Sequence, residues 1–251
     1  SIVPGSENVL ALRVINKSGP GGLTGHVKLL VRGGPEQAQA VPLPGGEQVF
    51  FEDFEGYEDG TLLSAAGWTT EVGDFKITRA TAFGKSVPAI DGKTPTAVYG
   101  RAFRSFTAPV NQGDTVVLTA KVYASYGQSW THVGLRTSGA KGVMLGNNGW
   151  HWVLDTREIA GPDTSAEFWP YSEADPWNNR ELVARICVDA KAHKVWATLT
   201  DARGTVHKSA AVDFVPGAET KLTGVIVYPT NTQAGRNMDI GEIRVERSAR
   251  D

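Results

Sequence analysis

The sequence predicts an all-β chain: a two-sheet antiparallel β-sandwich preceded by an N-terminal β-hairpin. Three observations carry this expectation. Glycine (29) and proline (13) punctuate short apolar runs throughout the 251 residues, the pattern of many strands joined by turns. No stretch sustains the 3.6-residue apolar period of a long helix. From Val49 onward, about a dozen short runs alternate apolar and polar side chains, the period-two signature of half-buried strands.

The elements follow in order. NVLALRVIN (Asn8–Asn16) and HVKLLVR (His26–Arg32) flank the turn signal KSGPGG and read as a hairpin, with Val27, Leu29 and Val31 on one face. Gly33–Gln48 carries three prolines and four glycines without periodicity, as a linker does. This divides the chain into a hairpin (1–33), a linker (34–48) and a sandwich (49–251). The sandwich strands are VFFEDFE, DFKITR, AVYGRAFRSF, DTVVLTAKVYAS, THVGLRTS, GVMLGN, WHWVLDT, ELVARICVDA, KVWATLTD, AAVDFV, KLTGVIVYP and GEIRVERS. Glycine-bearing pairs separate many of them, and Ala190–His193 reads as a hairpin turn.

Composition removes several function classes. The formal net charge of −2 lacks the clustered basic excess of a nucleic-acid surface. No run approaches the roughly 18–20 apolar residues of a membrane span. The lone Cys187 allows no internal disulfide and no CxxC metal spacing. It lies in an alternating strand with no neighbouring base, which makes a buried thiol the expectation rather than a nucleophile. The glycine-rich pieces do not sit between a strand and a helix, so no phosphate cradle is expected. The start at Ser1, with no signal-type segment, is expected of a processed chain or a fragment.

Two resemblances add to this reading. SENVLALRVINKSGPGGLTGHVKL is similar to the closing strands of the galactose-binding-like jelly roll of β-galactosidase-type glycoside hydrolases, which end in a pattern like G-x-N-x-L-A-V-R-V and a glycine-rich turn. From Val49 to Arg247 the chain resembles the concanavalin A-like lectin/glucanase (LamG-like) jelly-roll sandwich of bacterial secreted proteins. The resemblance rests on FEDFEGYEDGTLL followed by Gly67-Trp68, on the run Asp189–Asp201, and on the last strand MDIGEIRVE. It implies a secreted or cell-surface bacterial protein with an attached catalytic module. It also implies a structural Ca2+ between the first and last strands, held by Glu52 or Asp53 with Asp239. The relatives place an Asp where this chain has Gly241, and Asp239 substitutes only if Gly241 forms a bulge that resets the register.

Carboxylates are the first candidates for chemistry. A glycosidase needs two of them roughly 5–10 Å apart. Asp53 and Glu55 share a strand face, but the E-x-D-x-E spacing of laminarinase-type relatives is absent. Asp155/Glu158 and Glu173/Asp175 are interrupted by turn-like residues. A lyase site needs a base, an acid and a cation to neutralise a uronate. His132, His151, Arg136, Arg157, Tyr126 and Tyr171 supply the residue types, while the Q-x-H and Y-x-K-x-G-x-Y motifs of alginate lyases are missing.

Aromatic residues carry the fuller signal. Of seven tryptophans, Trp130 lies in YGQSWTH, Trp150 and Trp152 in NNGWHWVLDT, and Trp169 and Trp177 in EFWPYSEADPWNN with Tyr171. As i and i+2 on a strand, Trp150 and Trp152 would present both indoles on one face. The 167–179 loop either plugs a core edge or builds a platform. Indole faces stack on sugar C–H surfaces, and Arg157, Asn178 and neighbouring asparagines supply a polar rim. The expected function is therefore a non-catalytic carbohydrate-binding module of a multimodular polysaccharide-degrading protein. A hydrolase or lyase on the same fold, and an adhesion module without a glycan ligand, are the alternatives.

Overall fold

A computed structural model describes residues 46–71, 73–80, 87–90, 101–124, 131–139, 142–148, 150–162, 164–172, 180–229 and 238–248. The chain divides into two units, Ser1–Gly34 and Pro35–Asp251. The hairpin (1–33) lies outside the described residues, as does all of the linker (34–48) except its last three positions.

Alternation builds the first sheet. In β6 (Thr115–Ala124), β11 (Arg180–Asp189) and β12 (Lys194–Asp201), every second side chain is buried: Val116, Leu118, Ala120 and Val122; Leu182, Ala184, Ile186 and Val188; Val195, Ala197 and Leu199. Strands of this pattern must cover one face, and they do so as the middle of a nine-stranded sheet. Its order is β13 (Val206–Lys208), β12, β11, β6, β16 (Met238–Ser248), β4 (Val87–Ile90), β3 (Ile77–Ala80). In addition, β1 (Glu47–Glu52) pairs with β16, and β14 (Val212–Asp213) pairs with β12. The turn between β11 and β12 is the expected one: Asp189 and Lys194 face each other, and the Asp189 carboxylate accepts the N–H groups of Lys191 and Ala192.

The second sheet has seven strands in the order β10 (Ser165–Phe168), β9 (Trp152–Asp155), β8 (Gly142–Asn147), β7 (Thr131–Thr137), β15 (Leu222–Pro229), β5 (Arg101–Ser105), β2 (Thr69–Glu71). Among the described residues the strand pairings of both sheets are antiparallel. One core lies between the sheets, joining Leu118, Val122, Leu182 and Ile186 to Leu135, Leu145, Leu154 and Val225. A single helical turn, α1 (Arg157–Ala160), follows β9. Among the described residues no helix is long and apolar enough to cross a membrane.

The opening stretch stops being a strand at Glu52. The Glu52 carboxylate accepts the N–H of Phe54 and the Asp53 carboxylate that of Glu55, so the acids cap a turn. Phe54 takes a left-handed φ of 61° there and is fully buried against Trp68. The bulge sought at Gly241 is present: Ile240 faces Val122 and Ile243 faces Ala120, which leaves one extra residue on β16. At this point β16 changes partner on its other edge, from β4 at Ile240 to β1 at Ile243.

Burial pushes the Cys187 thiol up to about 12, and the nearby Asp189 charge adds to the rise. Where a buried thiol was expected, Cys187 is half-buried on the face of β11 turned away from Ile186 and Val188; a thiol so protonated is a poor nucleophile.

Candidate functional site

Among the described residues, the outer face of the seven-stranded sheet gathers cationic, aromatic and titratable side chains. In β7, Val133 and Leu135 enter the core, so His132, Gly134 and Arg136 lie on the opposite face. The register then fixes their neighbours. His132 is opposite Gly146 and Tyr228, Gly134 is opposite Met144 and Ile226, and Arg136 is opposite Gly142 and Gly224. Ile226 and Met144 are only 1% and 4% exposed, yet neither belongs to the core between the sheets. They form the floor of an outer layer.

Aromatic and cationic groups stand on that floor. The Arg136 guanidinium lies 3.6 Å from the centroid of the Phe103 ring. Arg101 lies 5.5 Å from that of Tyr228 and pairs with Glu71 at 3.0 Å. The His132 and Tyr228 rings are 6.4 Å apart. At the end of β9, Asp155 accepts from Arg157 Nε at 2.9 Å and from its Nη2, a two-pronged ion pair.

Burial alone would raise the Asp155 carboxyl, but hydrogen bonds from the Arg157 side chain and N–H, with the Arg157 and His132 charges, hold it below the usual range. A depressed carboxyl contributes stability that is complete above its unfolded value of about 3.9 and is lost as pH falls through the lower folded value. Asp155→Asn is therefore expected to flatten the acid side of the stability profile below about pH 4. Urea unfolding from pH 2 to 7 measures this; an acid limb identical to wild type would remove Asp155 as a contributor.

A second group closes the β8–β9 end. Asn148 Oδ1 accepts the N–H groups of Trp150 (3.0 Å) and His151 (2.8 Å), and its own N–H donates to the His151 carbonyl. This asparagine turn lifts Trp150 out of the strand, 67% exposed. The N–H of Tyr171 donates to the Trp150 carbonyl at 2.7 Å, which brings a second exposed ring to the same turn. Glu167 supplies the rim, 3.5 Å from His151 Nδ1 and 3.4 Å from Asn148 Nδ2.

The expected site residues thus separate. Trp150 and Tyr171 come together, and Arg157 joins Asp155. Trp152 does not belong with them: its indole is fully buried in the core. Only Trp152 is in the strand, opposite Asn147 and Phe168, so the i, i+2 argument fails at Trp150. Trp169 is also a core residue, 8% exposed, its ring stacked on His207 at 3.5 Å. It follows β10 of one sheet and meets β13 of the other, so it plugs the sandwich edge. Trp130, Trp177 and Asn178 lie outside the described residues.

The acids proposed for Ca2+ do not fit one ion. Glu52 is 8% exposed and its Oε2 is held by Arg104 Nη1 at 2.7 Å. Asp53 is turned into its own loop. Asp239 is opposite Tyr123, whereas Ile243, the partner of Glu52, is opposite Ala120. Three residues of β6 separate these levels, about 10 Å along a strand. Among the described residues no three His, Cys, Asp or Glu side chains converge.

Sequence reasoning brought His132, Arg136, His151, Arg157 and Tyr171 forward but missed Arg101, Phe103 and Tyr228. Those three come from β5 and β15, and only the register places them beside β7. The AVYGRAFRSF alternation held half the signal, since Arg101 and Phe103 share a face opposite to buried Ala102.

No family model matches the chain, and no curated protein matches its sequence. Solved structures do resemble it. Arcelin-5, a lectin-like defence protein from Phaseolus vulgaris, superposes with a TM-score of 0.52 at 9% identity, covering 82% of this chain and 100% of that one. Winged bean acidic lectin complexed with methyl-α-D-galactose gives 0.50 at 10% identity, covering 82% and 100%. At such identities the likeness concerns the fold: the described residues form a concanavalin A-like sandwich of two antiparallel sheets.

Proposed function

We propose that the protein is a glycan-binding module whose binding face is the outer side of the seven-stranded sheet. One observation carries the reading: Trp150, 67% exposed, is held beside exposed Tyr171 by a built turn and rimmed by Asn148, His151 and Glu167. An indole left in water at a shaped turn, with hydrogen-bonding groups around it, suits a pyranose with one apolar face and a hydroxyl edge. The lectin fold of the neighbours supports the same reading by analogy. In this proposal the module works outside a bacterial cell and keeps a catalytic module of its own polypeptide near a polysaccharide. The jelly-roll resemblance of the first residues supports that arrangement.

A stacked ring contributes on the order of 0.5–1.5 kcal/mol beyond area burial. Trp150→Ala is therefore expected to weaken glycan binding about threefold to tenfold and to leave the melting transition in place. Affinity electrophoresis against a panel of polysaccharides reads this directly. Retention by no polysaccharide, or equal retention of the variant, would reject the platform.

A second reading, eliminative cleavage of a polysaccharide, is favoured by His132 and Tyr228, cross-strand partners with Arg136 further along the same face. Unsaturated sugar ends released by wild type and not by His132→Ala would select it; their absence would leave binding alone.

A further inference from the structure

We infer that the glycan is acidic, and that Arg136 binds its carboxylate or sulfate group; this rests on the glycan-binding reading above. The argument starts from the ion pairs of the outer face. Arg101 has Glu71 and Arg157 has Asp155. Among the described residues Arg136 faces no carboxylate; it lies against the Phe103 ring. The nearby Glu158 points toward Gly139, its Oε2 2.9 Å from where a Cβ would stand there, and makes no ion pair with Arg136. Arg101 and Arg157 are thus neutralised at contact distance, whereas Arg136 is not.

The surroundings of that cation suit an oxyanion. Arg136 is half-buried in mid-sheet, so its guanidinium has given up part of its water. Its cross-strand partners are Gly142 and Gly224, which present no side chain on either side. No β8 or β15 side chain at this level therefore competes for the fork, and the Phe103 ring lies against it. A guanidinium stacked in this way keeps its in-plane donors for a two-oxygen partner, the geometry of carboxylate and sulfate. A lone lysine would offer charge without that match.

The position also implies a chain of sugars. From Arg136 to His132 is four residues, about 13 Å along the strand, and the Trp150 turn lies beyond that level. An acidic sugar at Arg136 would direct its neighbours along β7 toward His132, Tyr228 and the exposed Trp150 ring.

The test uses the whole chain with polygalacturonate (carboxylate), chondroitin sulfate (carboxylate and sulfate), dextran sulfate (sulfate only) and neutral galactan and dextran. Wild type is expected to bind an acidic polymer more tightly than either neutral one. Arg136→Gln should lose about tenfold or more of that affinity, with an unchanged melting transition, and Arg136→Lys should recover only part of it. The carboxylate-only and sulfate-only polymers distinguish the two oxyanions. Preference for neutral polymers that depends on Trp150, or acidic binding unaltered in Arg136→Gln, overturns the inference and leaves the glycan reading standing. Binding to no polymer overturns both.

Discussion

Trp152→Ala is expected to destabilise the protein by about 3–5 kcal/mol, the usual consequence of removing a large ring from a core. The indole is fully buried, opposite Asn147 on β8 and Phe168 on β10. Three strands of one sheet therefore lose a shared filler, and neighbours anchored in a ladder can collapse only partly into the space. Trp150, two residues earlier, makes the control: it stands in water at a turn, and its alanine variant should stay within about 0.5 kcal/mol of wild type. Urea unfolding of the two variants side by side gives the answer. Equal midpoints for Trp152→Ala and wild type would mean that the ring is not in the core, and that the i, i+2 platform was right after all. Any loss of glycan binding in Trp152→Ala should follow the unfolded fraction, whereas in Trp150→Ala it should appear in fully folded protein.

The same pair shows where the sequence was legible. Period-two burial in ELVARICVDA and KVWATLTD is a local property, because strand geometry alone sends Leu182, Ile186 and Leu199 inward. Many of the strands and the turn between Asp189 and Lys194 could be read from such patterns, whereas the bulge at Gly241 entered only as a condition for Asp239. The strand limit at Trp150 could not. It depends on the Asn148 side chain capturing two N–H groups, a competition between side chain and ladder that alternation does not register. Likewise VFFEDFE reads as one strand from its apolar and aromatic residues, yet Glu52 and Asp53 each end it by bonding a backbone N–H two residues on. The outer face was legible only in part for a different reason. Arg101, Phe103, Arg136 and Tyr228 belong to three strands separated by long stretches of chain, and which residues meet is decided by register. Register is set by the whole core. Short strands such as Thr69–Glu71 and Val206–Lys208 carry too few alternations to announce themselves.

Gly134→Ala is expected to cost about 3 kcal/mol, the upper part of the range for forced overpacking, although the residue lies on an outer face where alanine is ordinarily harmless. A Cβ at Gly134 would stand 2.2 Å from the Val143 carbonyl oxygen and 2.9 Å from the Met144 Cα, both backbone atoms of β8. Gly142 has the reciprocal constraint, 2.0 Å from the Leu135 carbonyl oxygen. A flexible side chain could swing aside, but here relief requires that β7 and β8 move apart and weaken the ladder from His132–Gly146 to Arg136–Gly142. The functional consequence follows from the same displacement. Arg136 and His132 flank Gly134, so any rotation of β7 carries the guanidinium away from the Phe103 ring. Acidic-glycan affinity should therefore fall in Gly134→Ala even where the protein remains folded. Hydrogen exchange of the β7 and β8 amides, read beside the thermal transition, separates this from general loosening: faster exchange confined to that pair is the expected result. Wild-type protection and wild-type stability together would show that the two strands do not approach each other so closely.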